Sequence, residues 1–159
     1  MRSHKVFLLA AILAIALGIA TGVFLSISRT AQEESEAAAT FGDARLALLI
    51  ATTTAARERG LGMRDSLPSD TGMIFIFTKD GTYDFWMKDM RFPIDIFWLN
   101  SDRNVVHIER YVSTSTYPAA LHSQAPARYV IETNAGFADE HHILLGTPLE
   151  LKNIPTIAE

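Results

Sequence analysis

Two acids sit where the sequence otherwise places apolar side chains. Asp95 interrupts Ile94-Asp95-Ile96-Phe97-Trp98-Leu99, and Glu132 follows Tyr129-Val130-Ile131. A charge inside an apolar run is costly unless it is paired, hydrogen-bonded or close to water. Two such carboxyls brought together beside an aromatic ring and a cation would form a ligand pocket or a general acid–base pair. Trp86 and Lys88, in Phe85-Trp86-Met87-Lys88, supply the ring and the cation. Trp86, Lys88, Asp95 and Glu132 are therefore the candidate binding residues. Each acid also has a plainer role. Asp95 can accept hydrogen bonds from backbone amides or Arg64 and organise a turn. Glu132 can lie on an exposed strand face beside Arg128.

Other chemistries have less support. His141 and His142 are adjacent, so their side chains diverge, and the i, i+4 spacing of a metal-binding helix is absent. Met63, Met73, Met87 and Met90 are soft ligands in principle, but methionine more commonly fills cores. No Gly-x-Ser-x-Gly elbow occurs, and Gly60-Leu61-Gly62 lacks the third glycine and the lysine of a phosphate loop. The chain has no cysteine, hence no thiol nucleophile, disulfide or Cys-x-x-Cys metal site. The sequence thus implies no metal and no cofactor.

The elements that must position these residues read as short strands. Leu46, Leu48 and Ile50 mark the first. Thr54 to Gly60 reads as a short helix with a threonine cap and a glycine stop. Met73 to Phe77 is a strand, Lys79 to Thr82 a turn and Tyr83 to Lys88 another strand. Strands then follow at Ile94 to Leu99, Val105 to Val112, Arg128 to Thr133 and Leu149 to Lys152, the last an edge strand. Ser113 to Pro126 is a long polar loop, and Gly136 to Glu140 a helical turn. This pattern predicts a mainly β fold, a small antiparallel β-sandwich or partly closed barrel with one or two short helices. If Tyr83 to Lys88 and Ile94 to Leu99 form a hairpin, the register decides whether Asp95 joins Phe85 and Met87 or Trp86 and Lys88.

The N-terminal region has a different character. Val6 to Ile27 is 22 residues without a charge, long enough for a transmembrane helix. Arg2 and Lys5 before it favour a cytoplasmic N-terminus. The expected organisation is an anchor or signal segment at 1–29, a linker at 30–40 and an extracytoplasmic domain at 41–159. The protein is then single-pass in the cytoplasmic membrane with its C-terminal domain periplasmic; export with cleavage is the alternative. Formal net charge is -4, and without Arg2, Lys5 and Arg29 the chain has 11 basic against 18 acidic residues. That balance argues against a nucleic-acid partner.

Several segments carry a family resemblance. They are Arg59-Gly60-Leu61-Gly62-Met63-Arg64, Gly72-Met73-Ile74-Phe75-Ile76-Phe77, Phe85-Trp86-Met87-Lys88, Pro93-Ile94-Asp95-Ile96, Tyr129-Val130-Ile131-Glu132 and Ala135-Gly136. In this order and spacing, Leu46 to Leu151 resembles the domain of unknown function 192 (DUF192). This chain has Asp89-Met90 where the family usually has Asn-Thr. The resemblance implies a small β-rich domain, often behind a signal or anchor in bacteria, with no agreed activity. The function expected is binding of a small ligand or an envelope partner. The alternatives are a hydrolase or isomerase using Asp95 and Glu132, and a structural accessory domain.

Overall fold

The computed structural model describes residues 37–154. These form one seven-stranded sheet with two short helices. The strands are β1 (Ala38–Phe41), β2 (Ala44–Ala51), β3 (Thr71–Gly81), β4 (Ile94–Leu99), β5 (Val105–Val112), β6 (Ala127–Asn134) and β7 (Leu149–Lys152). Helix α1 spans Thr54–Arg59, α2 spans Phe137–Glu140, and a 3-10 turn covers Thr114–Thr116. The spatial order is β5-β4-β6-β3-β2-β1-β7.

The sheet curls until its two edges meet at one end. Asn104, just before edge strand β5, bridges to Pro148, just before edge strand β7. Val105 N–H donates to the Thr147 carbonyl at 3.1 Å, and Leu149 N–H to the Arg103 carbonyl at 2.9 Å. The fold is therefore a curled half-barrel. One apolar cluster takes residues from every strand, including Phe41, Leu46, Ile74, Phe97, Val105, Ile131 and Leu149, so it fills the inside of the curl. A second cluster lies on the outer face of β3, β4 and β6 and includes Phe75, Ile96, Trp98 and Val130. Strands buried on both faces read as unbroken apolar runs. All six residues of β4 are buried, which explains Ile94 to Leu99.

Three local expectations change. First, the sheet is not wholly antiparallel: β2 and β3 pair in parallel, with Leu49 opposite Met73. Parallel neighbours need a long crossover, and the chain between them carries α1. Second, β1 begins at Ala38, inside the expected linker, and pairs with both β2 and β7. Its Ala39 and Phe41 side chains are buried inside the curl. Third, Tyr83 to Lys88 is not a strand and forms no hairpin with β4, whose neighbours are β5 and β6. β3 runs on to Gly81 through the expected turn. The segment after it lies across the outer face, with a single bridge from Phe85 to Leu121. The expected transmembrane segment, Val6 to Ile27, lies outside the described residues. Among those described, no helix is long and apolar enough to cross a membrane.

Candidate functional site

The register separates the two acids. Asp95 stands opposite Thr133, and Ile96 stands opposite Glu132. Neighbours across a ladder point to the same face, and successive residues alternate. Asp95 therefore faces the inside of the curl, while Glu132 faces outward with Ile96. They cannot share one site, so an acid–base pair of Asp95 and Glu132 is ruled out by the sheet itself.

Asp95 has structural work. The β4–β5 ladder slips between Ile94 and Ile96, so an extra residue is accommodated on β5. Tyr111 takes a left-handed conformation there (φ 52°), and its N–H donates to Asp95 Oδ1 at 2.8 Å. The other carboxylate oxygen, Oδ2, accepts from Gly136 N–H at 3.1 Å and Ala138 N–H at 2.9 Å. One buried carboxylate thus joins a β-bulge to the start of α2. Its donors are three backbone amides; Arg64 is not among them.

Glu132 is the opposite case. It is buried, and its Oε2 has no hydrogen-bond partner. Arg128 is not its neighbour in charge, because it pairs with Asp80 at 2.6 Å. Buried polar atoms are nearly always satisfied, so an orphan needs an explanation. Burial pushes the carboxyl up to about 8, so at neutral pH it is mostly protonated.

The Glu132 side chain opens into a cavity of about 190 Å³ between the outer sheet face, α1 and the Tyr83–Met90 segment. Trp86 and Lys88 also line it; Asp95 does not. The walls follow from local sequence. Thr53 Oγ1 caps α1 by accepting from Ala56 N–H at 3.2 Å. Gly60 ends the helix at φ 53°, ψ −136°, a region that is essentially glycine-only. A Cβ on Gly60 would stand 3.7 Å from Glu132 Oε2, so this turn lines the cavity close to the carboxyl. Gly62 is needed for close approach: a Cβ there would lie 2.9 Å from the Arg59 carbonyl and 3.1 Å from that of Lys88. Met63 N–H then donates to the Asp89 carbonyl at 2.9 Å, joining the turn to the covering segment.

The covering segment keeps the two-residue alternation of a strand. Phe85 and Met87 are buried, while Trp86 and Lys88 are exposed. Phe85 meets Phe75 edge-on, with centroids 4.8 Å apart, and Trp98 at 5.8 Å. Trp98 Nε1 donates to the Tyr83 carbonyl at 3.3 Å. Phe77 and Tyr83 stack, and the Arg57 guanidinium lies 5.2 Å from the centre of the Phe77 ring. Sequence reasoning missed Arg57, Phe75, Phe77 and Gly60 as lining residues. Gly60 had a signal in the helix stop; the aromatics read only as core.

Of the described histidines, only His122 comes near this cavity, 3.8 Å from the lining residue Asp84. His141 bonds Asp43 at 2.7 Å and His107 bonds Glu109 at 3.0 Å. Among the described residues, no group of three or more His, Asp or Glu is placed to hold a metal ion.

The DUF192 family model, described as an uncharacterised ACR, matches residues 37–151. A crystal structure from Sinorhizobium meliloti 1021, described as a candidate transcription regulator, is similar at TM-score 0.68 and 26% identity. That match covers 75% of this chain and 94% of the other. A protein of unknown function from Novosphingobium aromaticivorans DSM 12444 is similar at TM-score 0.65 and 28% identity, covering 72% and 83%. No curated protein matches the chain.

Proposed function

Because the chain belongs to the DUF192 family, whose description assigns no activity, we propose from the site alone that this domain binds a small molecule. The cavity against Glu132 is the binding site. The observation that carries this reading is Glu132, buried with an orphaned Oε2, in the lining of an aromatic-walled cavity. Default ligand sites are concave, mostly apolar and furnished with a few convergent polar groups, often with shifted pKa values. Trp86 and Lys88 are the other contacts expected at the mouth.

An enzyme is the second reading, now resting on Glu132 alone. A carboxyl held near 8 is matched to proton transfer at neutral pH, which favours isomerisation over hydrolysis by a carboxylate pair. Nucleic-acid binding is not favoured, whatever the role of the similar Sinorhizobium protein, because acidic residues outnumber basic ones in this chain, 18 to 14. For placement in the cell, we retain the reading from the first residues: Val6 to Ile27 anchors the protein in the cytoplasmic membrane with the domain outside.

A thermal-shift screen of a metabolite library on the full-length protein tests the binding function. A hit should raise the melting temperature of the native protein and lose most of that shift in Trp86→Ala. Hits that shift both proteins equally would place binding elsewhere.

A further inference from the structure

Taking the cavity as a binding site, we infer that its ligand is a small aromatic amine, with the ammonium on Glu132 and the ring among Phe75, Phe77 and Trp86. The floor decides the class. Glu132 lines the cavity and has a carboxyl oxygen with no donor, and no lining cation forms an ion pair with it. The charged and titratable groups that share the cavity are Arg57, Glu58 and Arg59 from α1, with Tyr83, Asp84 and Lys88 from the covering segment. β3 contributes Phe75 and Phe77 to the lining, and His122 lies 3.8 Å from Asp84 at the rim. The rim therefore carries both signs and does not select an anion. Arg57, which lines the cavity, is already committed. Its guanidinium donates to the Thr52 and Ile76 carbonyls and rests over Phe77.

That last contact shows what the wall accepts. An aromatic face attracts a cation through its quadrupole, more strongly where water is excluded. An ammonium entering beside Phe75 and Phe77 meets ring faces and then the carboxyl. A charge-assisted hydrogen bond to a carboxylate is roughly twice as strong as a neutral one. An alcohol of the same shape forms only the neutral bond. A carboxylate ligand could bond only to the protonated Glu132 carboxyl and would weaken as pH rises, the opposite pH dependence to an ammonium.

The proton balance is explicit. At pH 7 Glu132 holds a proton, since burial pushes it to about 8. Binding an ammonium transfers that proton from Glu132 to solvent and leaves an ion pair. Amine affinity should therefore rise about tenfold from pH 6 to pH 7 and level off above pH 8, while the ligand amine stays protonated.

The test compares three probes on the full-length protein: 2-phenylethylamine, 2-phenylethanol and phenylacetate. Fluorescence is a direct readout, because Trp86 is 45% exposed while Trp98 is fully buried. The expected result is that the amine binds tightest, with affinity rising about tenfold from pH 6 to pH 7 and protons released in calorimetry. Glu132→Gln should remove the preference, so that amine and alcohol bind alike. A pH-independent amine affinity in the native protein would overturn the inference without recourse to any variant. Tighter binding of the alcohol or of phenylacetate would overturn the amine class and leave the binding site standing. If none of the three binds at millimolar concentration, the amine is wrong; a library hit lost in Trp86→Ala would then still uphold the site.

Discussion

Asp95 and Glu132 look alike in sequence, yet they predict opposite mutational behaviour. Asp95 is satisfied by three backbone amides. Asparagine cannot accept from all of them, because its amide nitrogen must face an N–H donor. A hydrogen bond to a charged group contributes about 1.5 to 3 kcal/mol. Asp95→Asn should therefore lower stability by at least about 1.5 kcal/mol in urea melts, and an unchanged midpoint would contradict the structural role. Glu132 is raised from 4.5 to about 8 by burial alone. Between those values the folded state holds a proton that the unfolded state has released, so stability falls as pH rises. The slope from this group is roughly 1.4 kcal/mol per pH unit. It flattens above pH 8 and is absent below pH 4.5, where both states are protonated. Glu132→Gln should abolish that slope and be more stable than the native protein at pH 8, with the gap closing toward pH 5. Both acids were visible as anomalies in their runs. Their separation was not, because the face of a strand residue depends on a partner that the sequence does not name.

Among the elements, the legible ones declare themselves by local physics. α1 has a capping threonine and a glycine stop, although the cap is Thr53 rather than Thr54. β2 alternates buried and exposed side chains from Ala44 to Leu48. Tyr83 to Lys88 shows the same alternation without being a strand, because a segment lying across a sheet face also buries every second residue. β1 was illegible for the converse reason. Ala38 and Ala39 resemble a tether by composition, and only their burial within the sheet, Ala39 inside the curl, makes small side chains correct. The parallel pairing of β2 and β3 did have a signal, a helix between two strands. β1 also carries a prediction. It supplies the only ladders joining β7 to β2 among the described residues. A fragment of residues 37–159 should fold with strand-dominated circular dichroism. A fragment of 42–159 should show a lower urea midpoint and a weaker strand signal, as β2 and β7 lose a common partner. Equal midpoints would show that β1 is dispensable.

For the whole molecule, the sheet domain and the uncharged run before it make separate claims. Full-length protein should fractionate with membranes and retain its N-terminus; a soluble mature form starting between Ser28 and Thr40 would favour export with cleavage instead. The half-barrel also has a consequence in time. Phe41 pairs with Leu149, partners separated by most of the domain. Bringing distant segments together costs loop entropy before any pairing rewards it, and such folds form slowly. A growing chain cannot seat β1 against its outer neighbour until residues 149–152 have emerged. Until then the N-terminal strand presents an open edge, the kind of surface that recruits other strands. Completion of this sheet therefore waits on the last strand made, and the interval before it is when the chain is most exposed to mispairing.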